Sequence, residues 1–164
     1  MIKIRSPHFN DFEILKEHFQ NIPHLGIFDE RPLQKLALVL QPVIPYFFRN
    51  APSIHLAVDE KKILGLVILK CASKPNNCWQ IDEVFVTDEM RNKGIGEELL
   101  RYVLSVYGGY GVEHFLAEVD SQNFPALSLF HECGFRRYSR FCFYEKEIDA
   151  EALLATSLLE NEFI

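Results

Sequence analysis

Residues 81–104 read IDEVFVTDEMRNKGIGEELLRYVL, and the fold is decided by this stretch. The part before Thr87 is rich in β-branched and aromatic residues, which favours a buried strand. From Ile95 onward the apolar residues recur at positions 95, 99, 100, 103, 104 and 107, which is helical spacing. Gly94 and Gly96 are therefore predicted to lie at a strand-to-helix junction.

A junction of this kind is suited to an anionic ligand. The first N–H groups of a helix lack intrahelical partners, and the helix dipole places positive charge there. Gly94 and Gly96 carry no Cβ, so a ligand can approach their backbone closely, and Arg91 and Lys93 add two cations. The pattern predicts a cradle for a phosphate or pyrophosphate. A nucleotide-phosphate binder is the weaker alternative, because no Gly-Lys-Ser/Thr follows the glycines as a P-loop requires.

Two sequence blocks resemble one known family. Residues 91–96, RNKGIG, fit Gln/Arg-x-x-Gly-x-Gly/Ala, the coenzyme A signature of the GNAT superfamily of N-acetyltransferases. Residues 123–135, NFPALSLFHECGF, resemble that family's Asn-x-x-Ala … Tyr … Gly-Phe block. The resemblance covers residues 54–148 well and residues 1–53 loosely. It implies acetyl-CoA as co-substrate, no metal, and direct attack by a primary amine in a ternary complex. Whether the amine belongs to a small molecule or a peptide is left open.

The resemblance also implies which residues bind the cofactor. The backbones of Phe85 and Val86 would pair with the pantetheine arm, as an added strand pairs with a sheet edge. Asn123 matches the residue that hydrogen-bonds this arm, although an Asn before Pro is equally natural as a helix cap. The full cofactor-binding set is then Phe85, Val86, Arg91, Asn92, Lys93, Gly94, Ile95, Gly96, Asn123 and Phe130.

Acetyl transfer to an amine requires two proton movements. At pH 7, freeing an alkyl amine costs about 4–5 kcal/mol, whereas a thiol leaves as thiolate for about 2 kcal/mol. The base therefore matters more than the acid, and Asp82 and Glu83 are the candidate catalytic bases. Strand neighbours point to opposite faces, so only one of the two is expected to reach the site, and both could instead be solvated surface charges. By resemblance, Asp82 holds the place of the family's glutamate.

The general acid is where the chain departs from the family. Phe130 stands where the family has a tyrosine, and a phenyl ring cannot donate a proton. The role is either vacant or filled elsewhere, with His131, Tyr138 and Tyr144 as the remaining donors considered. This departure motivates an alternative function, a catalytically silent acyl-CoA-binding or sensor module.

The pattern along the whole chain predicts an α/β (α+β) fold. We expect strands at 2–5, 54–58, 63–71, 79–86, 114–119 and 140–148, helices at 95–107 and 125–134, and two helices before residue 42. This order indicates a mixed, mostly antiparallel twisted sheet of about six to seven strands flanked by about four helices. The resemblance implies a GNAT-like fold, in which two strands splay apart to admit the cofactor. Residues 1–148 are predicted to be a single acyl-CoA N-acyltransferase domain, followed by an acidic helical tail at 149–164.

Composition fits a globular protein, with 48% hydrophobic and 13% aromatic residues. The net charge of −6 disfavours a nucleic-acid partner and mildly favours a cationic substrate. A membrane partner is not expected, because no apolar run is long enough to span a bilayer. The absence of a signal-peptide pattern and four scattered cysteines lead us to expect a cytoplasmic location. The last strand and the tail are candidate surfaces for a homodimer.

Overall fold

The computed structural model describes residues 1–8, 10–11, 15, 53–60, 62–72, 77–137 and 143–147. The strands are β1 (Lys3–Arg5), β2 (Ser53–Asp59), β3 (Lys62–Cys71), β4 (Cys78–Val86), β5 (His114–Glu118), β6 (Arg136–Arg137) and β7 (Phe143–Glu147). The helices are α1 (Ile95–Gly109) and α2 (Phe124–Glu132), and a short 3-10 turn at Asp88–Met90 follows β4. The two helices predicted before residue 42 and the tail at 149–164 lie outside the described residues.

The seven strands found among the described residues form one sheet in the order β1-β2-β3-β4-β5-β7-β6. Five of its six pairings are antiparallel, and β4 with β5 is the parallel one. The prediction of a mixed, mostly antiparallel sheet is confirmed. Parallel neighbours need a crossover connection, and α1 lies in it. The two-residue strand β6 was not predicted, because Arg136-Arg137 carries no apolar alternation.

Strand β3 lies in the interior of the sheet and is covered on both faces. Leu64–Leu69 are all buried, which is typical of a strand with an apolar layer on each side. Val67 and Leu69 belong to the cluster that includes Leu99 of α1, whereas Leu66 and Ile68 belong to a second cluster with Leu15. We call these two sides of the sheet the α1 face and the opposite face. No helix in the described part of the chain is long and apolar enough to span a membrane.

Helix α1 buries the stripe that its sequence predicts. Its buried residues are Ile95, Leu99, Leu100, Val103, Leu104 and Tyr107, the same six positions. The helix continues through Gly109, slightly beyond the predicted end. Gly111 then adopts a left-handed conformation with φ 84° and returns its N–H to the carbonyl of Gly108. The left-handed residue just past the helix ends it.

Helix α2 is fastened to the sheet at its C-terminal end. Lys146 of β7 donates from Nζ to the carbonyl of Cys133 at 2.7 Å. A cation beside the last carbonyls of a helix is favoured by the helix dipole. Gly134 follows with φ 82°, and a Cβ added there would lie 2.7 Å from Lys146 Nζ. The predicted end of this helix at Gly134 is therefore explained by both the dihedral angle and the lysine.

A buried polar cluster lies between β2 and α1. The Ser53 and Tyr107 hydroxyls are hydrogen-bonded, and His55 Nε2 lies 3.1 Å from the Tyr107 oxygen. Among the described residues, His55 Nδ1 has no hydrogen-bond partner, and the Tyr102 ring lies edge-on at 5.3 Å. Burial lowers the pKa of His55 to about 4 and raises the pKa of Tyr107 to about 12. Both side chains are therefore neutral at pH 7.

The buried His55 is expected to make folding stability depend on pH. Its pKa falls from 6.5 in the unfolded chain to about 4 in the fold, so the unfolded state binds the extra proton. The free energy of unfolding should therefore fall by about 1.4 kcal/mol per pH unit between roughly 6.5 and 4. Urea unfolding at pH 7, 6 and 5 measures this. His55→Asn should flatten the curve relative to wild type and to the exposed-site control His131→Asn. Parallel curves for all three proteins would contradict the assignment.

Candidate active site

Strands β4 and β5 part in the middle of the sheet. Their parallel register joins Cys78–Ile81 to residues 114–117 of β5, while β4 runs on to Val86. Beyond Ile81 the two strands are no longer paired in the part of the chain that the structure describes. The next element after β4 leads to the start of α1, so the gap opens toward the α1 N-terminus. An extended ligand arm could lie along β4 in this gap.

Strand β4 contains one extra residue at the point where the gap begins. Leu69 of β3 pairs with Ile81, but the next residue, Ile68, pairs with Glu83, so Asp82 is the bulged residue. A bulge bends the strand and increases its twist. Ile81 and Val84 are three positions apart, so in a regular strand they would lie on opposite faces. The extra residue allows both to lie on the α1 face.

The bulge places both carboxylates on the opposite face. Glu83 lies across from Ile68, which belongs to that face, and directly paired residues share a face. Asp82 forms an ion pair with Lys70 at 2.8 Å. Lys70 is two residues after Ile68 in β3, and alternation along the strand therefore places it on the same face as Ile68. The expectation that the two neighbours point to opposite faces was therefore wrong, because strict alternation does not hold across a bulge.

The turn before α1 presents a row of backbone amides. Glu98 is the first residue of α1 whose N–H is bonded, to the Gly94 carbonyl at 2.9 Å. Within the described residues, the N–H groups of residues 92–97 have no acceptor in the protein. Asn92 has φ 59° and Gly94 φ 81°, so the backbone alternates in hand and gathers these amides. The sequence-predicted cradle is present as geometry, and its chemistry favours an anion.

The two cations of this turn are placed differently from each other. Arg91 forms an ion pair with Asp88 at 2.8 Å and donates from Nε to the Val86 carbonyl at 3.4 Å. Lys93 is exposed, and its Nζ lies 3.8 Å from the Met90 sulfur. Arg91 thus folds back on the end of β4, whereas Lys93 reaches into solvent beside the turn. Neither charge is buried, so either can reorient toward an anion.

The structure of the protein itself requires glycine at positions 94 and 96, apart from any ligand. A Cβ added at Gly94 would meet nothing within 4 Å, so its positive φ is what requires glycine. A Cβ added at Gly96 would lie 3.1 Å from Leu129 of α2, which explains that glycine by helix packing. Ile95 between them is buried in the core, so it can offer only its backbone amide to a ligand.

The second sequence block, residues 123–135, contains a helix cap, Asn123, and a core residue, Phe130. Asn123 caps α2, its side-chain oxygen accepting from the Ala126 N–H at 3.2 Å, so the capping reading is confirmed. Phe130 is 5% exposed and packs edge-on to Phe135 at 5.0 Å between ring centres. Its ring is part of the core on the α1 face. Among the other proton donors considered, His131 is exposed, Tyr138 lies outside the described residues, and only the backbone of Tyr144 is described.

Two residues that shape this region are not predicted by the sequence patterns. Lys70 follows the buried run Leu64–Leu69, and a charge that ends such an apolar run is the signal for it in the sequence. Gly65 pairs with Val86, and a Cβ added at Gly65 would lie 2.6 Å from the Phe85 carbonyl oxygen. Any side chain there would push the end of β4, so Gly65 sets the position of the edge that lines the gap.

The family comparison agrees with the two sequence blocks. The model described as the acetyltransferase (GNAT) family matches residues 14–135, which include the turn, α1 and α2. A search of curated proteins found no match.

Solved structures share the fold over nearly their whole length. The PaiA N-acetyltransferase of Thermoplasma acidophilum, in complex with coenzyme A, has a TM-score of 0.63 at 19% identity, covering 90% of this chain and 99% of that one. YncA of Salmonella typhimurium, with acetyl-CoA, gives 0.65 at 16% identity over 90% and 94%. The spermidine/spermine N-acetyltransferase SpeG of Vibrio cholerae gives 0.67 at 19% identity over 96% and 99%. At these identities the similarity is one of fold.

The left-handed conformation of Gly94 yields a prediction for stability. Gly94→Ala should cost about 1 kcal/mol of unfolding free energy, because a Cβ disfavours φ 81°, and Gly94→Asn should cost less. The matched control is Gly109→Ala, which also meets nothing within 4 Å but has no positive φ, and which should stabilise the helix by roughly 0.5–1 kcal/mol. Urea unfolding of the variants measures these differences. Equal effects at positions 94 and 109 would contradict the explanation.

Proposed function

The chain belongs to the acetyltransferase (GNAT) family, and on this premise we propose that it is an acetyl-CoA-dependent N-acetyltransferase that acts on a primary amine. The observation that carries the proposal is a juxtaposition. The amides of residues 92–97 lie at one end of the β4–β5 gap, and the carboxylates of Asp82 and Glu83 lie at the other. The first feature suits a diphosphate and the second suits a protonated amine.

The cofactor is proposed to lie along β4. Its diphosphate accepts hydrogen bonds from the amides of the turn, with Lys93 beside it and Arg91 turning from Asp88. The pantetheine arm is proposed to follow the backbone of Phe85 and Val86 and to accept a hydrogen bond from the side-chain amide of Asn123, whose oxygen caps α2. From Val86 to Asp82 the strand covers about 13 Å at roughly 3.3 Å per residue. The thioester end then reaches the apex of the gap, beside the bulge.

The reaction proposed is direct attack. The acceptor arrives as an ammonium, and the carboxylate of Asp82, alone or through a water molecule, takes its proton. The free amine attacks the thioester carbonyl carbon, the C–N bond forms, and the C–S bond breaks to release the thiolate of coenzyme A. The ion pair between Lys70 and Asp82 supports this assignment, because it places an amine nitrogen 2.8 Å from the carboxylate oxygen, within proton-transfer reach. Glu83 on the same face is the second candidate base.

A second function is favoured by one specific observation. Phe130 leaves the usual position of the general acid without a donor, which fits a silent acyl-CoA-binding or sensor module. Calorimetry with acetyl-CoA tests binding, and release of free thiol with a panel of primary amines tests turnover. We expect binding and amine-dependent thiol release. Binding without release over the whole panel would instead support the sensor, and absence of binding would exclude both functions.

Removing the proposed base should lower the activity and leave the affinity for the cofactor unchanged. Asp82→Asn is expected to lower kcat/KM for the amine by about 10²–10⁴, the range of a general base, while the Kd for acetyl-CoA stays within about twofold. Glu83→Gln, one residue along on the same face, is the matched comparison and should lose less. Steady-state thiol release and calorimetry measure the two quantities. A larger loss for Glu83→Gln would transfer the base role to that residue.

The phenyl ring at position 130 predicts an unusual pH profile. Because Phe130 cannot donate, kcat should rise with pH and stay high up to about pH 9.5, with no fall near the pKa of a tyrosine. Phe130→Tyr should introduce a falling limb that begins above pH 10, because the new hydroxyl must remain protonated to act and burial at this position disfavours the phenolate. The comparison is made with kcat measured from pH 6 to 10.5 for both proteins. A falling limb already present in the wild type would show that another donor, such as Tyr138 or Tyr144, fills the role.

A further inference from the structure

A primary amine of the protein itself lies at the candidate base. Lys70 Nζ is 2.8 Å from Asp82 Oδ1, and the two side chains are 47% and 29% exposed. This is the contact that an incoming acceptor amine would make. The pair is reached from solvent, so neither the amine nor the carboxylate is sealed in the core.

Lys70 also lies at the level of the sheet where the amine of an acceptor is expected. Lys70 lies across from Gln80, one residue before the β4–β5 ladder ends at Ile81. Asp82 is the first residue past that end. The apex where the thioester of the cofactor is proposed to arrive is therefore next to the Lys70–Asp82 pair. Three other described lysines are placed differently: Lys62 begins β3 at its far end, Lys3 lies in the edge strand β1, and Lys93 lies in the turn before α1.

We propose that Lys70 is an internal acceptor, whose ε-amine receives the acetyl group from acetyl-CoA bound to the same chain when no external amine is present. This inference rests on the proposed function and names a modification site for it. Asp82 takes the proton of the Lys70 ammonium, and the neutral Nζ attacks the thioester carbonyl. The N–C amide bond forms, the C–S bond breaks, and the thiolate of coenzyme A leaves and is protonated by solvent.

The modification changes the charges on the opposite face. Acetylation converts the Lys70 ammonium into a neutral amide, so the ion pair with Asp82 is lost. The carboxylate of Asp82 is then left for an external amine. The self-acetylated protein would carry one acetyl group at one position, which distinguishes it from lysines that react chemically in proportion to their exposure.

The experiment uses the full chain with acetyl-CoA and no added amine. Proteolysis and mass spectrometry give the acetylated fraction of each lysine over time. We expect one acetyl group per chain, with Lys70 acetylated at least about tenfold faster than the exposed controls Lys62 and Lys3, a ratio worth about 1.4 kcal/mol. The same chain treated with acetyl N-hydroxysuccinimide, a chemical acetyl donor, should lose this preference. Comparable acetylation of all three lysines by acetyl-CoA would overturn the proposal.

Two further arms separate the mechanism from simple proximity. Asp82→Asn should slow acetylation of Lys70 by about a hundredfold or more, the range of a general base, while coenzyme A binding shows that the variant is folded. Undiminished labelling of Lys70 in Asp82→Asn would overturn the role of the pair. Acetylation within one chain predicts a first-order rate that is unchanged by tenfold dilution of the protein at saturating acetyl-CoA. A rate that falls with dilution would contradict transfer within one chain.

The outcomes also separate this inference from the proposed function. Amine-dependent thiol release with no label on Lys70 would overturn the internal acceptor and leave the N-acetyltransferase standing. No binding of acetyl-CoA would overturn both. Lys70→Arg keeps a cation at the pair and removes the nucleophile, so the acetyl group should be absent from its peptide and should not move to Lys62.

Discussion

Strand β4 has an extra residue, Asp82, between Ile81 and Glu83, whereas their partners in β3, Leu69 and Ile68, are adjacent. At the same point β4 leaves its ladder with β5. A regular strand could not combine these features, since pairing on both edges keeps strands in register and their side chains in strict alternation. The extra residue, Asp82, bends the strand and shifts the phase of the side chains. The gap for an extended arm and the pair of carboxylates on one face are thus consequences of one insertion.

Three glycines hold this bent strand and the following turn in place, each for a different reason. Gly65 leaves room for the Phe85 carbonyl, Gly94 supplies a left-handed φ, and Gly96 lets α1 approach Leu129. The first fixes the edge of β4, and the other two fix the start of α1 above it. Because the first amides of a helix point along its axis, their direction toward the gap is set by packing before a ligand arrives. Pre-organised donors of this kind need no reordering on binding.

Much of the fold could be predicted from local patterns. The stripe of α1 was read at the correct six positions because 3.6-residue periodicity depends on a single helix and its one buried face. The strands predicted at 54–58 and 63–71 match β2 and β3 to within one residue at each end, because each is a run of apolar residues. The strand β6 could not be found, because two arginines at a sheet margin carry no periodicity and pair only through β7.

The site was predictable in its anion-binding half and less so in its carboxylate half. The turn at 91–96 is a contiguous motif, whereas the facing of Asp82 and Glu83 depends on how β3 pairs with β4. A signal for the bulge is nonetheless present in the sequence, since the apolar residues of β4 on the α1 face occur at 79 and 81 and then at 84 and 86. That slip of one position marks an inserted residue. The pairing of Lys70 with Asp82 joins two strands and has no equivalent local signal.

The distribution of ionisable groups between the two faces agrees with the energetics of the proposed reaction. On the α1 face, His55 is fully buried with its pKa lowered to about 4, and Phe130 replaces a donor with a hydrocarbon ring. On the opposite face, Asp82 stays partly exposed with a lysine as its partner. The fold therefore keeps charge where the amine must lose a proton, a step worth about 4–5 kcal/mol at pH 7. It provides no tyrosine at position 130 for the thiolate, whose departure costs only about 2 kcal/mol. A site arranged in this way assists the larger of the two proton movements in the proposed reaction.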